Sequence, residues 1–282
     1  MRRPSADYLN PIGGKSRLIV PGLAIHSCPF TLGGLAFGAR STAVQLNGPD
    51  KPIAIVAPIP YGAESENMLR VLSAGPGPYN IKYIILTNVL HHMGTASWKE
   101  KFPDVKIVGV RGVCRKKERE GIKIDYIFDE KHSNRIVDGP LEDLDLPEEL
   151  TNALSLFYLP GHKNKELIAY HKPSKTIIES DLLVNFPAYE QYEGSEVSPV
   201  GGFSNILRFL TANSWLTKLA VGRVFDSEQW PVTQATLQSV WELGIERIIC
   251  SHGDVLEGEE ASKAFAQAFG LKQDVKPPTS SL

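Results

Sequence analysis

Short apolar, β-branched runs dominate the first third of the chain. Leu23 to Phe30, Ala39 to Leu46 and Pro52 to Ile59 are separated by Gly, Pro and Asn, which predicts three strands of a meander. From Glu64 the period changes. Met68, Leu69, Val71 and Leu72 fall at helical spacing before the stop from Gly75 to Pro78. Ile81 to Thr87 is a continuous apolar run of the kind a buried strand gives. A helix over Ser97 to Phe102, a strand over Val105 to Val110 and a charged helix over Gly112 to Glu120 follow. Beyond the acidic stretch from Glu142 to Glu149, strands are predicted at Leu154 to Leu159, Glu166 to His171 and Thr176 to Glu179. Lys172-Pro173-Ser174-Lys175 makes a hairpin turn between the last two.

Asn185 to Phe203 is rich in Gly, Pro and aromatic residues and fits no period; long segments of this kind often form lids or binding loops. Helices over Ile206 to Ala220 and Ser227 to Leu243, a strand over Ile245 to Cys250 and a helix over Glu257 to Phe269 complete the pattern. Leading strands, alternating units, a second meander and a final strand-helix pair predict two sheets between helices in one α/β domain. That domain covers residues 20–271, with an arm at 1–19 and a polar tail at 272–282.

The charge balance narrows the partners. Thirty basic and 32 acidic residues give a formal charge of −2, so no global field draws nucleic acid or an anionic membrane. A small-molecule substrate or ligand is expected, without nucleic acid or membrane. Cys28, Cys114 and Cys250 are odd in number and far apart, which does not make a disulfide framework and suits a reducing compartment. Pro4, Ser5, Asp7 and Asn10 break up the region where a signal peptide would be apolar, and no run approaches the roughly 18 apolar residues of a membrane span. A cytoplasmic protein is expected.

Four segments carry candidate chemistry, each just past a predicted strand: Thr87 to Gly94 with His91 and His92, Leu159 to His162, Ile178 to Leu183 with Asp181, and Cys250 to Asp254 with His252. α/β enzymes commonly build their sites at such strand ends. Neutral imidazole nitrogen and carboxylate oxygen are the usual donors to zinc or iron, so these residue types in this order point to a metal site.

On these motifs the sequence resembles the metallo-β-lactamase fold superfamily, over roughly residues 20 to 270. Gly161-His162, Ser180-Asp181 and His252-Gly253 match three of its elements in order. The resemblance implies a four-layer αββα sandwich with the site along one edge of the sheets. The family's His-x-His-x-Asp-His box is replaced. Without a gap its first two histidines become Asn88 and Leu90, its aspartate His92 and its last histidine Met93; with one residue deleted, His91 and His92 stand for the Asp-His pair. Ile55-Val56-Ala57-Pro58 occupies the place of the family's supporting Asp-x-Gly. The Asn-x-x-His-His element, with Trp98 and Phe102-Pro103, looks like a poorly characterised branch.

The resemblance implies one divalent metal, zinc in the first instance, held by Asp181, His252 and His91 or His92. His162 is then a fourth ligand or is aimed at the metal's water, making Asp181 and His162 the catalytic pair. The implied activity is hydrolysis of an ester, thioester or lactone. The segment Phe186 to Phe203, with Tyr189 and Tyr192, has the residues for an aromatic wall over that site or, equally, for packing or a subunit contact. The alternative is a metal-free pseudoenzyme, a scaffold or small-molecule-binding protein that keeps the fold.

Overall fold

The computed structural model describes residues 6–48, 50–133 and 135–272. All but the first residue of the polar tail lies outside them. The sheets number their strands in chain order: β1 Ala6–Tyr8, β2 Lys15–Val20, β3 Leu23–Cys28, β4 Phe30–Leu32, β5 Leu35–Ala36, β6 Ala39–Gln45, β7 Ile53–Val56, β8 Ile81–Ile85, β9 Lys106–Val110 and β10 Tyr126–Phe128 make the first half. The second half is β11 Ile136–Val137, β12 Leu154–Leu159, β13 Glu166–His171, β14 Thr176–Glu179, β15 Arg247–Cys250 and β16 Leu256–Glu257. The helices are α1 Ala63–Ser73, α2 Thr95–Lys101, α3 Arg111–Glu118, α4 Glu148–Ala153, α5 Trp215–Val224, α6 Trp230–Glu242 and α7 Gly258–Phe269.

A seven-stranded sheet runs β10-β9-β8-β7-β6-β3-β2 and a six-stranded sheet runs β11-β12-β13-β14-β15-β16, with a small β1-β4-β5 sheet beside them. Strand alternation assigns the layers. Val56 and Ile85 of the first sheet meet Leu156, Tyr158 and Ile178 of the second in the central core. Their neighbours Ile55 and Ile84 turn outward onto Met68, Leu69 and Trp98 of α1 and α2. Phe157 and Leu159 turn the other way onto Leu237, Val240 and Phe265 of α6 and α7. A period of two with both faces covered is what a sheet between helices requires. The architecture is αββα, as the motif order implied.

Two differences from the hydrophobic pattern have physical causes. Lys15–Val20, all but its last residue assigned to the arm, pairs antiparallel with Leu23–Cys28 as an edge strand; its residues are partly exposed without clean alternation, so no period marks it. The single helix expected over Ile206 to Ala220 is a 3-10 helix at Gly202–Phe209 followed by α5. The break comes from local polar bonds that compete with a continuous helix. Ser214 caps α5 by accepting the Thr217 N–H at 3.1 Å, while the Thr217 hydroxyl donates to the Thr211 carbonyl at 2.7 Å.

The hairpin end of β13 carries an acid-sensitive group. His171 is 3% exposed and shares a 2.7 Å hydrogen bond with the Ser174 hydroxyl; burial pushes its imidazole down to about 4. Unfolded, the ring would protonate near 6.5, so between pH 6.5 and 4 the unfolded chain binds a proton that the native protein does not. Stability is therefore expected to fall as pH drops through that window, by up to about 3 kcal/mol from this residue. Urea unfolding at pH 7 and pH 4.5 reads the slope, and His171→Asn should flatten it.

Candidate metal centre

Asn88 shapes the first loop. Its Oδ1 accepts the N–H groups of Leu90 and His91 at 2.8 and 2.9 Å, a local turn that throws His91 toward the edge of the sheets. Gly94 closes the loop against the neighbouring strand end, where a Cβ would lie 2.4 Å from the Pro58 and Ile59 carbonyl oxygens. No side chain fits there. The Trp98 indole then donates to the Ile59 carbonyl at 2.7 Å, pinning α2.

His252 is placed by a second close approach. Gly253 has φ +109°, and a Cβ there would come within 2.0 Å of the Asn185 carbonyl oxygen, so the His-Gly pair is dictated by backbone geometry. The Asn185 N–H donates to the His252 carbonyl at 3.1 Å, and the Asp254 N–H to the Asn185 carbonyl at 3.0 Å. With its backbone fixed, His252 donates from Nδ1 to the Gly38 carbonyl at 2.9 Å.

Three donor atoms converge. His91 Nε2 and His252 Nε2 each lie 3.3 Å from Asp181 Oδ1, and all three atoms are within 4.8 Å of one another. Asp181 Oδ2 is occupied differently, accepting amide N–H bonds from Asn88 and Asn164, both at 2.8 Å. The other Asn88 amide bond goes to Glu166 Oε2 at 2.7 Å, and Glu166 Oε1 accepts from the Ser180 N–H at 2.8 Å. The carboxylate of Asp181 is thus clamped on one side and open on the other.

Burial works against the Asp181 charge, but His91 and His252 outweigh it and hold the carboxyl well below its ordinary range. Glu166 moves the opposite way, raised first by burial and then by the nearby Asp181 charge. Two carboxyls bridged by one amide divide the labour: Asp181 carries the charge and Glu166 supports Asn88 beneath it.

The donor set fits a divalent cation. With Nδ1 of His252 committed to a carbonyl, a neutral ring would turn a lone pair from Nε2 toward Asp181 Oδ1, itself an acceptor. Such acceptors 3.3 Å apart repel unless a proton or a cation lies between them. Two imidazoles and one carboxylate are ordinary zinc donors, and the outer nitrogen of His252 and the outer oxygen of Asp181 are held by a carbonyl and two amides, which orients these two ligands.

The other predicted residues stand next to the three-atom cluster rather than in it, and His92 lines the cavity above it. His162 is not in the cluster: it is fully buried, its Nδ1 accepts the Asn164 N–H at 3.2 Å, and its ring packs on Phe225 at 5.1 Å. Burial pushes it down to about 4. Asn164 takes the place beside Asp181 instead. His92 turns toward α3, its Nε2 3.5 Å from Lys116 Nζ, and burial followed by Lys117 and Lys116 lowers it to about 4. His91 is therefore the imidazole that the first loop contributes.

A cavity of about 320 Å³ opens over the cluster. Its walls are Tyr8, Phe30, Leu32 and Phe37 on one side and Leu90 and Met93 on the other. The aromatic segment expected to form this wall supports it from behind. Phe186 packs edge-on against Phe37 at 5.3 Å and the Tyr192 hydroxyl donates to the Phe30 carbonyl at 2.7 Å, whereas Tyr189 is exposed. Arg40 also reaches the cavity, but its guanidinium is spent on Ser27, the carbonyls of Cys250 and Gly253, and Glu190.

Solved structures share this architecture. A metallo-β-lactamase from Hirschia baltica superposes with a TM-score of 0.57 at 10% identity, covering 90% of this chain and 97% of its own. The mono-zinc form of the metallo-β-lactamase FIM-1 from Pseudomonas aeruginosa gives 0.54 at 14%, covering 91% and 94%. A metallo-β-lactamase from Pontibacter korlensis gives 0.52 at 12%, covering 90% and 98%. The chain has the metallo-β-lactamase fold. No protein-family model matches the sequence, and no curated protein matches it in a sequence search. Among the described residues no helix is long and apolar enough to cross a membrane.

Within the metallo-β-lactamase fold, the residues that sequence reasoning did not select are Asn164 and Glu166. Glu166 opens a strand that is otherwise apolar until its last two residues and is wholly buried, which is the signal that could have found it: buried charge needs a partner. In the sequence Asn88 stands only where a family histidine would, and the structure gives it the task of holding Asp181 and turning the loop. Asn88→Ala is expected to weaken zinc affinity about tenfold while leaving the stoichiometry unchanged, since supporting hydrogen bonds of this kind are worth 10- to 100-fold. Competition with a chromophoric chelator measures both quantities.

Proposed function

We propose that the protein is a mononuclear metal-dependent hydrolase acting on an ester, thioester or lactone with an apolar substituent. The observation that carries this reading is the convergence of His91 Nε2, Asp181 Oδ1 and His252 Nε2 within 4.8 Å at the floor of an apolar cavity. A zinc ion held by these three would supply Lewis acidity and an activated water near neutral pH.

The remaining chemistry belongs to the chain. Asn88 and Asn164 occupy Asp181 Oδ2, so one carboxylate oxygen is left for an ion and the carboxylate does not bridge two. The Gly38 carbonyl fixes the His252 tautomer. Phe30, Leu32 and Phe37 take up the apolar part of the substrate and exclude bulk water. With Arg40 already neutralised by Glu190 at 2.7 Å, the cavity offers a substrate carboxylate no free Lys or Arg among the described residues, so neutral substrates are favoured.

The test is hydrolysis by zinc-loaded protein of neutral aryl and alkyl esters, thioesters and lactones, beside matched compounds bearing a carboxylate next to the acyl group. The reading predicts turnover of neutral members, lost in His252→Ala. No turnover of any acyl compound by fully loaded protein would refute it.

A further inference from the structure

The segment 197–225 carries exposed apolar side chains on two successive helices that the cavity and the metal centre do not use. In the 3-10 helix Gly202–Phe209, Phe203, Ile206 and Phe209 recur every three residues, the period of that helix, so they share one side. Phe203 is 90% exposed. The opposite side is anchored: Leu207 is buried, and Ser204 accepts the Ala36 N–H at 2.9 Å. α5 repeats the arrangement, with Trp215 and Leu219 one turn apart facing solvent while Thr217 and Val221 face inward; Trp215 is 73% exposed. Monomeric proteins rarely leave so many large apolar side chains together in water without an interaction to serve.

Charge selects the partner. From 197 to 225 the sequence contains Arg208, Lys218 and Arg223 and not one Asp or Glu. All three are exposed, and none is ion-paired among the described residues. The Arg208 guanidinium lies over the Phe209 ring at 4.7 Å. The net charge of −2 conceals this local excess. A symmetric contact with a second copy would set these cations against one another with no acid within the segment to answer them, the nearby acids Glu196, Asp226 and Glu260 lying at its borders.

We propose that the exposed sides of these two helices dock together on an anionic lipid membrane surface. Phe203, Ile206, Phe209, Trp215 and Leu219 enter the boundary between headgroups and acyl chains, and Arg208, Lys218 and Arg223 meet the lipid phosphates and carboxylates. Short helices with aromatic and aliphatic residues on one side and basic residues beside them bind interfaces in this way, through apolar burial plus attraction to anionic headgroups. Peripheral docking of this kind needs no spanning helix.

The test is flotation of the full chain with vesicles of phosphatidylcholine alone and of phosphatidylcholine with phosphatidylserine, at low and high salt. Binding is expected to the phosphatidylserine vesicles, to weaken as salt rises, and to shift the tryptophan emission to the blue. Trp215→Ser should remove the emission shift, and the combined Arg208→Glu, Lys218→Glu, Arg223→Glu variant should lower partitioning by about tenfold or more. Zinc content of each variant reports separately that the fold and metal centre are intact. No binding to phosphatidylserine vesicles, or equal binding by the charge-reversed variant, would overturn the proposal. So would a wild-type dimer that Trp215→Ser converts to monomer, which would assign the face to a second copy.

Discussion

Replacing Asp181 by Ala is expected to take bound zinc from one equivalent per chain to background, and hydrolytic activity with it. The residue supplies the only carboxylate in the three-atom cluster. Without it two neutral imidazoles remain, too few to hold the ion, and the Asn88 and Asn164 amides lose the oxygen they share. Leaving such donors unsatisfied costs about 1–3 kcal/mol, so the Ala variant should also unfold earlier. Asp181→Asn separates the two effects, because it keeps the size and one acceptor but removes the charge. Saturating zinc should stabilise the wild type by about 4 kcal/mol at a thousandfold excess over Kd and neither variant at all. Thermal unfolding with and without zinc measures the difference.

Arg40→Ala is expected to cost about 3–5 kcal/mol, the scale on which a buried ion pair is broken from one side. Arg40 is 2% exposed in β6 of the first sheet, yet its guanidinium donates to the carbonyls of Cys250 and Gly253 at the end of β15 in the second. It also pairs with Glu190 at 2.7 Å and donates to the Ser27 hydroxyl at 2.9 Å. Removal takes a donor from the Cys250 carbonyl and the pair from Glu190 Oε2, while Gln191 still holds the Gly253 carbonyl and Arg17 still holds Glu190 Oε1, and it opens a void between the layers. Arg40→Lys should recover only part of the loss, since one ammonium does not reproduce the planar fork. Denaturant unfolding of the three proteins orders them. The His252-Gly253 turn hangs on the same guanidinium, so zinc affinity should fall in parallel.

The layers were readable from the chain because both sheets are covered on both faces, which turns their strands into continuous apolar runs. β12, β13 and β14 have the bounds that the pattern predicted. Elements held by something other than apolar burial were not readable: the edge strand Lys15–Val20 and the break between the 3-10 helix and α5, made by Ser214 and Thr217. The site divides similarly. Asp181 and His252 follow from motif order, and they meet because their strands, β14 and β15, are parallel neighbours. The choice between His91 and His92 depends on how Asn88 turns its loop, a contact within the loop that spacing does not encode. His162 was selected on a Gly-His motif, and Asn164, two residues later, donates both to its ring nitrogen and to Oδ2, the clamped side of Asp181. The aromatic wall comes from β1, β4 and the residue after β5, strands too short to announce themselves.

Metal content is the most direct measure of the central claim. Protein purified without chelator, loaded with zinc and freed of excess, should contain one equivalent per chain by elemental analysis, and the Asp181→Asn variant none. Two equivalents would contradict the single-ion centre, since Asp181 would then have to bridge through the oxygen that Asn88 and Asn164 hold. No zinc in the wild type, with its stability unchanged by added metal, would contradict the metal centre itself and leave a metal-free binding protein on a metallo-β-lactamase scaffold.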